Sequence, residues 1–251
     1  MESFDYENKQ YLDKLNDLSL SYYSKYIKYI KGYLNSNKNK TFLDVGCGNG
    51  SVLNIFKKEG YKKGYGVDIS KLFIKEGKKK GLKNLYYYDG TKLPFKDKFF
   101  DLIGSFNVLE HTKEPEKFLE DQVFKLKSGG ILIVACPNFI SVIFPSYHRR
   151  LKGPKNKIHN LYLVFNKLLT TNAKFERMEP VVRKNFQYDD DAITVTNLID
   201  LKRVLTNNGC SILYESGFIN YDTLLYRIVN KIPFLKYLLP SCFIVAKKIN
   251  E

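Results

Sequence analysis

The sequence predicts an α/β fold with a doubly wound, mostly parallel sheet of seven strands. Short apolar runs alternate with segments of helical periodicity five times between residues 42 and 136. A glycine-rich turn follows the first apolar run, at the kind of strand-to-helix junction where open α/β sheets bind their ligands. The run at 131–135 is uninterrupted and apolar, as expected for a parallel strand covered on both faces.

Composition sets the class of protein and of partner. The chain has 251 residues and a formal net charge of +15, and its pI is about 9.4. That charge favours acidic partners, such as nucleic acid, phosphorylated metabolites or anionic lipid surfaces, although a solvated lysine-rich surface explains it equally well. The four cysteines form no C-x-x-C pair and no zinc-ligand spacing, so we expect reduced thiols in an intracellular protein and no metal. The polar N-terminus predicts no signal peptide, and no apolar run is long enough to span a membrane.

Residues 1–40 precede the first predicted strand and form an N-terminal helical extension. Their apolar residues repeat at helical spacing, at Leu20, Tyr23, Ile27, Ile30 and Leu34. The helix either packs on the core or covers a ligand as a lid. Residues 41–251 form the main domain.

The glycine-rich turn lies between a predicted strand at 42–45 and a helix that ends near Gly60. A nicotinamide dinucleotide site needs the spacing G-x-G-x-x-G, but the last position is Ser51 and the third glycine comes one residue early. The stretch matches D-x-G-x-G-x-G and resembles motif I of the class I S-adenosylmethionine-dependent methyltransferases. The matching residues are Asp44, Gly46, Gly48 and Gly50.

That resemblance implies a cofactor site along the carboxyl ends of the strands. Asp68 ends a predicted strand at 64–68, about 20 residues past the glycine turn, where an acid holds the cofactor ribose. The alternative is that Asp68 or Ser70 caps the next helix, at 71–80. In the family an acid after strand three, here at 84–88, contacts adenine. The resemblance therefore assigns the cofactor to Cys47, Ile69, Asp89 and Gly90 in addition to Asp68 and the motif I residues.

Residues 93–111 resemble the small-molecule branch of this family, which includes the ubiquinone-biosynthesis-type O-methyltransferases. In that branch "LPF…FD" leads into strand four and "LEH" follows it. We expect Phe106 and Asn107, at the end of this strand, to border the methionine end of the cofactor. His111 is either a general base, because its ordinary pKa lies near neutrality, or a structural histidine.

The segment at 139–191 interrupts the strand–helix pattern and is expected to be a substrate lobe. It follows a predicted helix that ends at Ser128-Gly129-Gly130 and the strand at 131–135. It is rich in Lys and Arg, which suits an anionic or aromatic acceptor or RNA, whereas the alternative is a solvated basic surface. The candidate substrate residues are Tyr147, His159, Tyr162 and Tyr188, and His148 is a second candidate base.

The C-terminal part completes the sheet. We expect a helix at 195–208 that ends at Asn208-Gly209, a strand at 210–218, and a last strand at 241–247 that the family makes antiparallel. The apolar stretch 221–239 is either a helix packed on the core or a peripheral membrane contact.

The sequence therefore predicts a cytoplasmic enzyme that uses S-adenosyl-L-methionine, with peripheral contact to a membrane as an alternative. The expected acceptor is a small molecule, lipid precursor or glycan, methylated at oxygen. The alternatives are methylation of RNA or protein, and a non-catalytic cofactor-binding subunit.

Overall fold

The structure is a computed structural model that describes residues 6–7, 20–143, 154–181, 189–218, 228 and 232–249. The helices are α1 Leu20–Leu34, α2 Ser51–Lys58, α3 Lys71–Lys79, α4 Pro115–Lys125, α5 Pro154–Leu169 and α6 Leu198–Asn207, with 3-10 helices at Leu109–His111 and Leu235–Leu238. The strands are β1 Phe42–Val45, β2 Gly64–Asp68, β3 Leu85–Tyr87, β4 Phe100–Phe106, β5 Leu126–Pro137, β6 Glu176–Arg177, β7 Thr194–Val195, β8 Cys210–Ser216 and β9 Ser241–Lys248.

Seven strands form one mostly parallel sheet, in the order β3-β2-β1-β4-β5-β9-β8. β1 pairs in parallel with β2 and with β4, and β2 pairs in parallel with β3. β9 runs antiparallel to β8, as predicted for the last strand. The doubly wound seven-stranded fold that the sequence predicts is therefore confirmed. β6 and β7 form a separate antiparallel pair.

The chain divides into two compact units. The first comprises Met1–Phe106, Asp121–Ile133 and Asn250–Glu251, and the second comprises Asn107–Glu120 and Val134–Ile249.

In the first unit, helix α1 buries its predicted apolar face. Ile27, Ile30 and Leu34 are buried, and the ring of Tyr26 lies 4.3 Å from that of Phe106, between ring centroids. Phe106 is the last residue of β4. The helical periodicity in the extension is thus confirmed, and the described part of α1 packs on the core of this unit.

Glycines allow the strands and helices of the first unit to approach closely. A Cβ added at Gly66 would lie 2.7 Å from the Cys47 sulfur, and one at Gly77 in α3 would lie 2.7 Å from the Asn49 backbone oxygen. Because real Cβ atoms do not make such short contacts, the glycines at these two positions are required by packing.

The second unit has its own apolar cluster. Phe139, Val164, Ala192, Val195 and Ile199 belong to it and are all buried. Helix α6 begins with a side-chain cap, because the Asn197 side-chain oxygen Oδ1 accepts a hydrogen bond from the Asp200 N–H at 2.9 Å. Asn208 ends this helix, as predicted.

Two segments differ from the sequence prediction by more than a few residues at a boundary. The helix expected to end at Ser128-Gly129-Gly130 ends at Lys125, and these three residues lie within β5. The Phe99 N–H donates to the Lys125 carbonyl at 2.8 Å, so the backbone is already extended there. The segment 139–191, expected to be irregular, contains the 16-residue helix α5. Most of its large apolar residues are exposed, so they do not form the core-facing stripe of an ordinary surface helix.

No helix among the residues described above is long and apolar enough to cross a membrane. All four cysteines are free thiols and are buried. Of the stretch 221–239, residue 228 and residues 232–239 are described, and the latter contain the 3-10 helix Leu235–Leu238.

Two glycine-to-alanine changes in helices should have opposite effects on stability. Gly77→Ala should lower the free energy of unfolding by about 1–3 kcal/mol, because the new methyl group meets a backbone oxygen that cannot move aside. Gly32→Ala in α1, where nothing lies within 4 Å, should raise it by about 0.5–1 kcal/mol. Urea unfolding followed by circular dichroism measures both, and equal effects would contradict this account of the packing.

Candidate functional site

The first group of candidate residues surrounds the turn between β1 and α2. Gly46, Gly48 and Gly50 have φ values of +74°, +54° and +77°, which side-chain-bearing residues rarely adopt. The N–H groups of Gly46 and Cys47 both donate to the Val67 carbonyl, at 2.9 and 3.0 Å. The turn is therefore fixed to the end of β2, and its glycines present bare backbone.

Asp68 joins this turn to the start of α3. Its Oδ2 accepts a hydrogen bond from the Gly48 N–H at 2.7 Å, and its Oδ1 accepts one from the Ser70 N–H at 2.9 Å. The Ser70 hydroxyl, in turn, caps α3 by accepting from the Phe73 N–H at 3.2 Å. The helix-capping role is thus filled by Ser70, and the Asp68 carboxylate is anchored where β2 ends.

Two buried carboxyl groups in this first group have raised pKa values. Burial raises the pKa of Asp68 to about 6, although hydrogen bonds from Ser70 and Gly48 oppose the rise. Burial and the neighbouring charge of Asp68 raise the pKa of Asp44 to about 8. Acids held in this way favour a cation beside them, because a positive charge stabilises their ionised forms.

The N-terminal extension also reaches the start of α3. The Glu7 carboxylate accepts hydrogen bonds from the N–H groups of Lys71 and Leu72, at 2.7 and 2.9 Å. Its negative charge contributes to the raised pKa of Asp68. The role of Glu7 could not be predicted from the sequence, since no local pattern identifies an acid that caps a distant helix.

The other cofactor candidates of this unit lie at strand ends. Asp89 is exposed and accepts hydrogen bonds from the Thr91 hydroxyl and N–H, at 2.6 and 2.9 Å; the hydroxyl bond chiefly lowers its pKa. Gly90 has a φ of +87° and no atom within 4 Å of an added Cβ. Ile69 is an exposed apolar side chain, and Phe106 is half-buried beneath the ring of Tyr26.

The second group of candidate residues lies in the second unit, around His111. The Nδ1 atom of His111 is 3.2 Å from an Asp191 carboxylate oxygen, and its Nε2 atom is 3.7 Å from Glu110 Oε1. The His111 side chain keeps 18% of its surface exposed, whereas those of Glu110 and Asp191 keep 0% and 2%. The imidazole is therefore reachable while its acidic neighbours are not.

Burial dominates the electrostatics of this second group. It raises the pKa of Glu110 well above the usual range, and the negative charges of Cys136 and Asp189 add to the effect. Burial also raises the pKa of Asp189, which the charge of His111 partly offsets. Neither Glu110 carboxyl oxygen has a hydrogen-bond partner among the described residues. Burial therefore favours the neutral form of the Glu110 carboxyl group.

Three residues of the second group could together ligate a metal ion. Glu110, His111 and Asp189 each offer one ligand atom, and these atoms all lie within 4.8 Å of one another. Two oxygens and one imidazole nitrogen suit a divalent cation such as Zn²⁺, Mn²⁺ or Fe²⁺. No metal was expected from the sequence, because only cysteine and zinc-ligand spacings were informative there, and Asp189 meets Glu110 and His111 only in the fold.

Asp189 and Asp191 lie at the end of the segment 139–191, between β6 and β7. Arg177 donates to the carbonyls of Thr112 and Lys113, at 2.9 and 3.0 Å, and to the Thr194 hydroxyl at 3.0 Å. The Ile193 N–H donates to the Glu110 carbonyl at 2.9 Å. These bonds hold the turn at 189–192 beside the 3-10 helix that carries His111.

The remaining predicted site residues lie after β4, on α5 or outside the described residues. Asn107 has a φ of +55°, and its N–H donates to the Ala135 carbonyl at 2.8 Å. His159 and Tyr162 lie on the exposed surface of α5. The candidates Tyr147, His148 and Tyr188 lie outside the described residues.

Comparisons with known proteins bear on these two groups. The sequence model of a family described as a methyltransferase domain matches residues 43–134. An uncharacterized protein of Methanocaldococcus jannaschii is 30% identical over 155 residues, which cover 62% of this chain and 71% of that protein. The chain belongs to the S-adenosylmethionine-dependent methyltransferases. The comparisons thus confirm the family that motif I predicted for this methyltransferase, and with it S-adenosylmethionine as the cofactor.

Other similarities are more distant. The ubiquinone biosynthesis O-methyltransferase of Rickettsia bellii is 24% identical to this methyltransferase over 217 residues, 81% of this chain and 83% of that protein. A crystal structure of an S-adenosylmethionine-dependent methyltransferase from Aquifex aeolicus superposes with a TM-score of 0.55 at 18% identity, covering 96% of this chain and 99% of that one. At that identity the structural likeness shows the fold alone.

The buried acids should make the stability of this unliganded methyltransferase fall as pH rises. The folded pKa of Asp44, about 8, lies above its usual 3.8, so the folded state holds this proton longer than the unfolded state. Between about pH 4 and pH 8, this one group lowers the free energy of unfolding by up to about 1.4 kcal/mol per pH unit.

Asp44→Asn should therefore flatten the decline, as measured by urea unfolding across that range. Glu114→Gln, whose side chain is 62% exposed, is the control, and it should leave the slope unchanged. A slope that Asp44→Asn does not alter would contradict the raised pKa.

Proposed function

We propose that this enzyme methylates a hydroxyl oxygen on a small molecule, a lipid precursor or a glycan. The observation that carries the proposal is the partly exposed His111 with the buried Asp191 carboxylate 3.2 Å from its Nδ1. A hydroxyl loses a proton when its oxygen takes a methyl group, and a histidine oriented by a buried acid suits that task.

The cofactor supplies a methyl group that its sulfonium already activates, so the protein's main work is binding and orientation. In this proposal Asp68 holds the ribose hydroxyls, and Asp89 and Gly90 contact the adenine. Asp44, Cys47, Ile69, Phe106 and Asn107 complete the cofactor site together with the three turn glycines.

The residues of the first group fit such a ligand. The turn glycines leave room for close approach to backbone, and the carboxyl groups of Asp44 and Asp68 stand buried where a cation would favour their ionised forms. A sulfonium and an amino group are both positive, so the electrostatics of the site match the charge of the cofactor.

The second group divides the proton chemistry among its members. His111 accepts the acceptor's proton at Nε2, and the buried Asp191 carboxylate, 3.2 Å from Nδ1, stabilises the imidazolium that forms. The raised pKa of Glu110 disfavours a second negative charge beside Nε2.

The acceptor class is supported by the sequence of the LPF…LEH segment and by the Rickettsia relative, whose name records O-methylation in ubiquinone biosynthesis. The alternatives are methylation of RNA or protein, which the net charge of +15 favours, and a non-catalytic cofactor-binding subunit. The proposed activity and these two alternatives differ in whether a methyl group is transferred and in which class of molecule receives it.

Removing the charge of Asp68 should weaken the binding of the cofactor. Asp68→Asn should lose about 10- to 150-fold in affinity for S-adenosylmethionine, the equivalent of about 1.5–3 kcal/mol for charge-assisted hydrogen bonds. Calorimetric titration measures this loss, and Glu76→Gln in the following helix α3 should bind normally. Unchanged affinity in Asp68→Asn would remove Asp68 from the ribose site.

Removing the imidazole of His111 should slow methyl transfer without weakening the binding of the cofactor. His111→Gln should lower kcat about 10²- to 10⁴-fold at unchanged cofactor affinity, and imidazole in the buffer should partly restore His111→Ala. Asp191→Asn should also lower kcat, since the ring loses its orienting carboxylate. Glu114→Gln, an exposed change three residues after His111, serves as the control.

The assay uses methyl-labelled S-adenosylmethionine with a fractionated cell extract, and label is counted in lipid, small-metabolite, RNA and protein pools. We expect label in the lipid or small-metabolite pool. Label in RNA or protein would support the alternative acceptor, and no label despite cofactor binding would support the non-catalytic subunit. Activity that is abolished by EDTA and restored by a divalent cation would make His111 a metal ligand instead of a base.

A further inference from the structure

Helix α5 is inverted relative to an ordinary surface helix. Its buried face carries polar groups: Asn156, Asn160 and Lys167 are buried there, together with Val164. Asn160 donates to the Ser141 carbonyl at 2.6 Å, and the Lys167 ammonium lies 2.6 Å from an Asp200 carboxylate oxygen. These two bonds to buried partners fix the rotation of the helix about its axis.

The opposite face of α5 is apolar and exposed. Ile158 is 69% exposed, Tyr162 63%, Phe165 50% and Leu169 85%. At 100° per residue these four side chains fall within an arc of about 60°, so they form one continuous stripe along the helix. We refer to these four residues as the α5 stripe. Each of the four keeps half or more of its surface exposed among the described residues.

The stripe extends beyond the helix. The ring of Phe165 lies 5.3 Å from that of Phe234, between centroids, and Ile232 nearby in sequence is also exposed. A contiguous apolar surface of this kind marks a binding surface more often than scattered exposed side chains do.

Charge identifies what this surface fits. Helix α5 contains no acidic residue, and Lys155, Lys157 and His159 are exposed beside the N-terminal half of the stripe. An apolar stripe with basic flanks is the pattern of helices that lie in the plane of an anionic membrane surface. A second copy of this helix would offer no carboxylate to these cations, whereas anionic headgroups would meet them directly.

We propose that the α5 stripe binds the surface of a membrane that contains anionic lipid, with the helix lying parallel to the bilayer. The apolar side chains enter the boundary between headgroups and acyl chains, and the lysines remain at the phosphate level. The proposal places the membrane contact on α5, whereas in the sequence the stretch 221–239 offered such a contact only as an alternative to a helix packed on the core. It does not depend on the acceptor or on the role of His111.

The test is flotation of the full chain with vesicles of phosphatidylglycerol and phosphatidylcholine, compared with vesicles of phosphatidylcholine alone. The wild type should float with the anionic vesicles and much less with the neutral ones, and added salt should weaken the binding. The triple variant Ile158→Ser, Tyr162→Ser, Leu169→Ser should partition at least about tenfold less, because three large apolar side chains are lost from the interface.

Two further variants make the test specific. Phe124→Ser with Leu213→Ser removes side chains that are 51% and 47% exposed outside α5, and this variant should float like the wild type. Lys155→Glu with Lys157→Glu should weaken flotation with anionic vesicles and leave the low binding to neutral vesicles unchanged. Circular dichroism and S-adenosylmethionine titration establish that each variant is folded.

Three results would overturn the proposal. The first is a wild type that floats with neither vesicle, and the second is a triple variant that floats as well as the wild type. The third is a wild type that is dimeric by sedimentation velocity, becomes monomeric in the triple variant and does not bind vesicles. That last result would assign the stripe to contact between two copies of the chain.

Discussion

The buried carboxylate of Asp68 is the interaction on which the first unit depends. It accepts hydrogen bonds from the backbone of the glycine turn and from the start of α3, two segments that come from different strand ends. The cost of burying this charge shows in its raised pKa, and a structure serving stability alone would do better with an apolar residue there. An acid retained at such a cost is best explained by what it binds, which agrees with the family to which the chain belongs.

The second unit repeats this principle with different residues. Glu110 has no exposed surface and no hydrogen-bond partner within the described part of the chain, and yet it lies beside a histidine and two further acids. In a chain with a net charge of +15, these acids are concentrated where the solvent does not reach. Local charge therefore differs in sign from the overall charge. For the same reason the lysine-rich composition predicts little about the chemistry beside His111.

The sequence predicted what local patterns determine. Strand and helix periodicity gave the sheet, and the spacing of Asp44, Gly46, Gly48 and Gly50 gave the family. Contacts between distant segments could not be predicted in this way. Glu7 capping α3 and the acids at 189–191 meeting His111 depend on tertiary pairing that no local pattern encodes. The glycines at 129 and 130 were misread because a glycine pair ends a helix or interrupts a strand with equal ease, and the hydrogen bond from Phe99 to Lys125 decides between them.

Helix α5 shows why an irregular pattern is itself informative. Its residues do alternate with helical period, but the buried side is polar and the exposed side is apolar, so a search for a core-facing stripe assigns the wrong face. The buried Lys167–Asp200 pair and the Asn160 hydrogen bond explain how the polar side is accommodated. In the described part of this unit, the four side chains of the α5 stripe remain half or more exposed, and Phe165 meets the ring of Phe234. A helix that buries several polar groups and exposes most of its large apolar residues is organised for a surface other than its own core. The orientation of α5 is therefore evidence about a binding partner as much as about the fold.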